Sequence, residues 1–466
     1  MPEDVSSRRG VTRRGFLTVA VSAIVAGVVA GVGGYYAATL AVPAGVTREV
    51  TKTVERTTTV TAPASTVTKT VTTTVTATTT APTPSKPAPG KIRIGFTLSK
   101  TGFGVVGSTL LHERQYSLWL EEVNAKGGMY VPEYGKRIPV EFVWYDDRSD
   151  AATVIELYTK LITEDKVDLL LPPWGSHFSL AVAPVISEYK FPLIGTTCYS
   201  TTILTERNTK FPYFYSLLPQ VDALIPTFMQ WLDYLKEKYG FRKVGVIYDD
   251  LAFGMEIGKY HLEKLKAAKY DIVIEKMYPA SATDLTALLT EVKTANPDVL
   301  FCWSEPSDTA LVISQAPKVG LDPPIFHVGI GIQIPEFLKG KEEYCEGLVA
   351  VAVWHPSMPY PGAKDYYDAY YRKYGIEPPL IGNALSYAAC QILEQAVEKA
   401  GSLDLSKIKR VLDTETFPTI AGNIKFTNGI NYETIHLVMQ IQGSKYEIVW
   451  PLQYATAELK VPRPKL

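Results

Sequence analysis

The sequence predicts an α/β protein whose folded part consists of two similar lobes, each a parallel sheet covered by helices on both faces. Three observations carry this reading. From Lys91 onward, short β-branched or aromatic runs alternate with amphipathic segments. Short apolar strands joined through helices are the signature of parallel sheets buried on both sides. The rhythm then restarts near Val221, and 466 residues are too many for one ordinary compact lobe.

In the first block, 92–96 reads as a strand. Ser108 to Lys126 reads as a helix ended by Gly127-Gly128, whose permissive backbone suits a C-cap. The run 140–145 is the next strand, and 150–163 a helix capped by Ser149 or Asp150. Strands at 167–171 and 192–194 flank a helix from Leu180 to Tyr189. In the second block, helices are expected at 221–239, 255–268, 284–294 and 309–319. They alternate with strands at 243–248, 271–274, 298–302 and 325–328. Ligands of such folds sit beyond the carboxyl ends of the strands. Two lobes present two such edges, which can face one another across a cleft.

The N-terminal part is of a different kind. Thr12-Arg13-Arg14-Gly15-Phe16-Leu17-Thr18 reads as a twin-arginine export signal. No charge follows from Gly15 to Thr47, a run longer than the roughly 20 residues that cross a bilayer. Its Val, Ala and Gly content suits a cleavable signal or a retained anchor, and the preceding arginines place the rest of the chain outside. No lipobox cysteine follows it. Residues 1–42 are therefore read as signal or membrane anchor, and 43–90, rich in Thr, Val, Pro and Ala, as a disordered stalk, because little large apolar surface offsets the ordering entropy. Thr and Pro together also suit O-glycosylation, whereas no Asn-x-Ser/Thr sequon occurs.

Composition excludes several classes. With 47 basic and 48 acidic residues there is no electropositive footprint for nucleic acid. Cys198, Cys302, Cys345 and Cys390 form no C-x-x-C pair, and the six histidines show no paired spacing, so neither a metal site nor a cofactor is expected. The cysteines are read as buried thiols, with one or two disulfides as the alternative. Gly102-Phe103-Gly104-Val105-Val106-Gly107 matches the dinucleotide fingerprint G-x-G-x-x-G. It begins several residues past its strand, however, and the next strand ends in Asp146-Asp147 some forty residues on, rather than the ~20 of the ribose-binding acid. Ser108 stands where a P-loop needs Lys, and no G-x-S-x-G elbow occurs. No catalytic residue is assigned, and binding without turnover is expected.

The loops at the strand ends are more informative. Pro172-Pro173-Trp174-Gly175-Ser176-His177 and Gly195-Thr196-Thr197-Cys198-Tyr199-Ser200 bring hydroxyls, backbone amides and an aromatic to one sheet edge. Helix N-termini with hydroxyls favour an anionic or carbonyl group, although Ser and Thr also serve there as plain caps. In the second block the equivalent ends are 249–254 and 303–306.

Taken together, these segments resemble the substrate-binding proteins of ABC importers of the branched-chain amino-acid type. The resemblance runs from about Lys91 to the C-terminus. It is carried by 119–128, Tyr145-Asp146-Asp147, 181–185 leading to 191–195, Phe253-Gly254 after Tyr248-Asp249-Asp250, and Gln315-Ala316 before Gly320-Leu321. It implies a two-lobed type I periplasmic-binding-protein fold with three crossings, lobe I at 91–218 and 350–428 and lobe II at 219–349 and 429–466. It further implies ligand hydroxyl contacts at Ser176 and Ser200, a backbone carbonyl at Cys198, a wall at Trp174, an aromatic lid at Phe253 and a further contact at Glu305. The implied partners are a small organic ligand, the importer's permease subunits with their cytoplasmic ATPase subunits, and the membrane through the N-terminal segment. The implied location is the outer face of the cytoplasmic membrane. Amino-acid binders of this type usually carry an acid after the strand that here ends at Val328, where this chain has Gly329-Ile330-Gly331. The ligand class therefore stays open among amino acids, amides, short acids and aromatic compounds. The alternatives weighed are a twin-arginine-exported NAD(P)-dependent oxidoreductase, motivated by the glycine fingerprint, and an extracellular ligand-sensor domain.

Overall fold

In the computed structural model, residues 48–62, 65–79 and 87–464 are described, with side chains from 87 onward except that of Glu343. The expected export signal at 1–42 lies outside the described residues, as do parts of the expected stalk. Arg48–Ala62 and Ser65–Thr79 pair antiparallel from Arg48 opposite Thr79 to Ala62 opposite Ser65. This differs from a stalk disordered throughout. Val and Thr are both β-branched and favour extended backbone, and the ladder satisfies N–H and C=O groups, a gain that reasoning from core burial leaves out.

The folded unit from Pro89 onward holds two sheet systems. In the first lobe, Ile92–Leu98 pairs parallel with Val140–Asp146 and with Leu169–Leu170. Beside it, Leu193–Gly195 runs parallel to Phe214–Ser216, which adjoins Ile430–Asn431, then Gly422–Thr427 and Thr416–Thr419. The second lobe is one seven-stranded sheet in the order Asp271–Tyr278, Lys243–Asp249, Val299–Trp303, Ile325–Val328, Val349–Ala352, Leu437–Gln442 and Lys445–Trp450. Its first five strands are parallel, and Leu437–Gln442 pairs antiparallel with both Val349–Ala352 and Lys445–Trp450. The central strands Val299–Trp303 and Ile325–Val328 are buried at every residue, which is why they read as unbroken apolar runs.

The chain passes between the two sheet systems three times: between Ser216 and Val221, between Ala352 and Ala363, and between Asn431 and Leu437. The lobe limits expected at 349/350 and 428/429 shift accordingly. Val349–Ala352 lies wholly in the second sheet and Ile430–Asn431 in the first. Both strands are too short to signal themselves by periodicity. Two buried glutamines brace the crossings. Gln220 accepts from the Ser200 N–H at 2.7 Å and donates to the Cys198 carbonyl at 2.7 Å, and Gln333 donates to the Gly329 and Val351 carbonyls at 2.9 and 3.0 Å.

Several helices begin earlier than expected. The helix expected from Leu180 starts at Gly175, the one expected from Met255 starts at Ala252, and the one expected from Thr309 starts at Pro306. Proline fits the first turn, where its missing N–H is not needed, and small polar residues there were read as loop. These earlier starts bring helix N-termini to the cleft. Among the described residues no helix is long and apolar enough to cross a membrane. All four cysteines are buried free thiols.

Candidate functional site

On the first lobe, the chain leaves Leu169–Leu170 through Pro172-Pro173, and Trp174 turns it into the Gly175–Glu188 helix. The Trp174 indole lies flat on Gly107: a Cβ at that position would stand 2.0 Å from indole Cε2. The last glycine of the G-x-G-x-x-G stretch thus makes room for a tryptophan. Phe103 packs edge-on against the same ring, at 6.2 Å between centroids.

The second loop runs from Thr196 to Ser200. Thr197 and Tyr199 line a small cavity, whereas Thr196, Cys198 and Ser200 are fully buried and do not line it. Thr196 and Thr197 form a bend, and Ser200 is extended at φ −155°. The Thr197 hydroxyl accepts from the Gly175 N–H at 2.9 Å and lies 3.3 Å from His112 Nε2. Burial lowers the His112 pKa to about 3, so this histidine stays neutral behind the loop.

The second lobe contributes Phe253 from the Ala252–Ala267 helix, Glu305 from the start of the Pro306–Val319 helix, and Ile330 beyond Ile325–Val328. Leu111, Leu218, Ile381 and Gly382 complete the lining. Gly329 is held by space, since a Cβ there would lie 2.2 Å from the Ser304 carbonyl oxygen. No acid fits at that position, and its neighbour Ile330 faces the cavity instead.

Glu305 is only 7% exposed, and among the described residues its carboxylate has no hydrogen bond or ion pair. Burial first, then Asp249 and Asp308, push its pKa well above the usual carboxylate range. Burial and Asp308 raise Asp249 to about 8, and burial raises Asp308 to about 6. Asp249 Oδ1 accepts from the Leu251 N–H at 2.9 Å, and Asp308 Oδ2 from the Tyr278 hydroxyl at 2.6 Å. Asp249 Oδ2 and Asp308 Oδ1 are buried without a partner. The first-lobe wall opposes this with the N-terminus of the 14-residue Gly175–Glu188 helix, the end that carries the positive partial charge of the helix dipole, although its Gly175 N–H is taken by Thr197.

The lobes touch across the cleft. Glu256 of the second lobe accepts from the Thr201 N–H at 2.5 Å and from the Thr201 hydroxyl at 3.0 Å. Tyr199 packs on Phe253 at 6.1 Å and its hydroxyl lies 3.1 Å from His436 Nε2. Arg114 pairs with Glu336. These contacts describe a closed arrangement.

Of the expected site residues, Trp174, Phe253 and Glu305 come together around this cavity. Ser176, Cys198 and Ser200 do not line it. Ser176 Oγ accepts from the Tyr199 N–H at 3.1 Å, Ser200 Oγ caps its helix by accepting from the Ile203 N–H at 3.2 Å, and the Cys198 carbonyl is taken by Gln220. Their chemistry supports the loops rather than facing the cavity. Thr197 and Tyr199 of the same loop line it.

Comparison with known proteins agrees with this fold. Residues 91–444 match the periplasmic binding protein family profile. The Leu/Ile/Val-binding protein homolog 7 of Brucella suis is 26% identical over 373 residues, covering 75% of this chain and 89% of the relative. The branched-chain amino acid transporter substrate-binding protein LivJ of Streptococcus pneumoniae, solved with isoleucine, superposes with a TM-score of 0.65 at 23% identity, covering 80% of this chain and 100% of that one. A solute-binding protein from R. palustris, solved with benzoate, superposes at 0.66 with 18% identity, covering 81% of this chain and 98% of that one. The oxidoreductase and sensor alternatives give way to these matches, and the glycine fingerprint has its explanation in the bed of Trp174. The chain belongs to the periplasmic binding protein family, with its two-lobed type I fold, and is a solute-binding protein of the kind that serves ABC importers.

Proposed function

We propose that this chain captures a small, partly apolar organic molecule between Trp174 and Thr197 of the first lobe and Phe253 and Glu305 of the second, and releases it unchanged to an importer's permease. The single observation that carries this reading is Glu305, 7% exposed and without a side-chain hydrogen bond or ion pair among the described residues, which lines the same cavity as the N-terminus of the Gly175–Glu188 helix. One end of the site favours a carboxylate or carbonyl, and the other a hydrogen-bond donor. Leu111, Trp174, Leu218, Phe253, Ile330 and Ile381 supply apolar contact between them. Relatives of the same fold are named for leucine, isoleucine and valine, and one is solved with benzoate, so amino acids, amides and aromatic acids form the search set.

Closure is the transport signal in this reading. A ligand that touches both lobes only when they are shut favours the closed state by its differential affinity. The uncharged run from Gly15 to Thr47, preceded by paired arginines, supports export and tethering at the outer face of the cytoplasmic membrane.

Thermal-shift screening of the purified protein against amino acids, amides, short acids and aromatic acids tests the proposal. A ligand at 100 times its Kd stabilises by about 2.7 kcal/mol and raises the melting temperature. A hit whose affinity is indifferent to Trp174→Ala and Glu305→Gln defeats the site assignment. A panel without any hit defeats the ligand class.

A further inference from the structure

We propose that Glu305, Asp249 and Asp308 turn ligand loading into a proton exchange: the closed cleft without ligand keeps a proton on this trio, and a ligand bearing a protonated amine displaces it. This rests on the cleft being the ligand site, as argued above, and names the class of ligand that fits it.

The argument starts from geometry. Asp249 ends the strand Lys243–Asp249, Glu305 precedes the Pro306–Val319 helix, and Asp308 lies in that helix's first turn. The topology brings them together because Lys243–Asp249 and Val299–Trp303 are adjacent parallel strands whose carboxyl ends share an edge. Asp249 is fully buried, Asp308 is 1% exposed and Glu305 7%. Each has at least one oxygen without a hydrogen bond, and none of the three joins an ion pair among the described residues.

The groups facing the trio are of the wrong sign or neutral. Tyr278 donates to Asp308 from the neighbouring strand, Cys302 lies beneath, and Asp250 adds a further carboxylate beside Asp249. Across the cleft stand Tyr199, bonded to a neutral His436, and Glu256 beyond it. Three carboxylates cannot all ionise in such surroundings, because each charge is desolvated and repelled by the next. Either the trio holds a proton or a cation enters. Among the described residues no group of His, Cys, Asp and Glu has the arrangement to hold a metal ion. Only Glu305 of the trio reaches the cavity, so an entering cation meets its carboxyl.

The exchange balances as follows. The protonated Glu305 carboxyl gives its proton to solvent, and the ligand's R–NH3+ hydrogen-bonds to the resulting carboxylate. One cation enters and one proton leaves. Affinity therefore rises with pH while the empty trio is protonated, by about tenfold per pH unit.

Two measurements test this on the full chain. The first needs no ligand. Carboxyl groups with raised folded-state pKa values cost stability as pH rises from their unfolded to their folded values. The melting temperature of Glu305→Gln should therefore gain on that of the wild type as pH rises above the ordinary carboxylate range; a gap that stays constant overturns the shared proton. If the variant does not fold, infrared spectroscopy of the wild type reads the protonated carboxyl directly. Its carbonyl band should be present near neutral pH and vanish in alkali, and its absence at neutral pH overturns the proposal. The second is calorimetry with matched probes: leucine against 4-methylpentanoate and phenylalanine against 3-phenylpropanoate, in two buffers of different ionisation enthalpy. An amine-bearing member should bind, release about one proton and weaken about tenfold per pH unit on acidification. Tighter binding of the desamino partner, without proton release, overturns the amine assignment but leaves the solute-binding reading standing. Binding by no member of either pair overturns the amine assignment too, and the broader thermal-shift panel then decides whether the cleft binds solutes at all.

Discussion

Replacing Glu256 by Ala removes a direct polar contact between the lobes. Its Oε2 accepts from both the Thr201 N–H and the Thr201 hydroxyl, and its Oε1 lies 3.5 Å from the Thr202 hydroxyl. Hydrogen bonds to a charged group contribute about 1.5–3 kcal/mol when well buried. Glu256 and Thr201 are only partly buried, so we take about 1–2 kcal/mol for the set. The donors and acceptor sit on opposite lobes, and the contact exists only when they are shut. The loss thus falls on the closed state alone, and converts to ~5–30-fold weaker ligand binding. Calorimetry reads the affinity, and small-angle scattering of the ligand-bound variant reads the fraction closed. The melting temperature without ligand should stay near the wild-type value. Affinity within twofold of wild type refutes the reasoning, as does a drop in ligand-free stability large enough to account for the whole effect.

Ser200→Ala should behave in the opposite way: loss of the cap on the Ile203 N–H costs about 1 kcal/mol of stability with or without ligand, and leaves affinity nearly unchanged, as paired melting curves and titrations would show. Gly107→Val places side-chain atoms where the Trp174 indole now lies, so tryptophan fluorescence should shift and affinity fall by tenfold or more; an unaltered spectrum contradicts the packing described. A protein beginning at Lys91 should bind its ligand as tightly as the full chain, and a tenfold loss of affinity would show that the N-terminal residues do more than set reach from the membrane.

The alternation of strands and helices was legible because each buried parallel strand is a short apolar run bounded by turn residues. Trp174, Phe253 and Glu305 were legible from their places at strand ends. Ser176, Cys198 and Ser200 were expected in the same role, but they do not line the cavity and their polar groups bond within the loops. A serine before a helix reads equally as ligand contact or cap, and Ser200 is a cap. The choice between Thr197 and Cys198 turns on one step along a loop, which no composition argument decides. The carboxyl trio was hidden for another reason. Asp249, Glu305 and Asp308 lie on two segments over fifty residues apart in sequence, and only strand pairing brings them together. Val349–Ala352 and Ile430–Asn431 are too short for periodicity, so the crossings were placed a few residues early.

The central claim is that one small molecule is held from both lobes at once. Calorimetric titration of the screened ligand into Trp174→Ala and Phe253→Ala tests it most directly, because the two side chains come from opposite lobes and line the same cavity. Each aromatic contributes about 1.5–3 kcal/mol when fully covered, so each variant should bind at least about tenfold more weakly than wild type. Unchanged affinity in either variant would contradict a ligand gripped between the lobes.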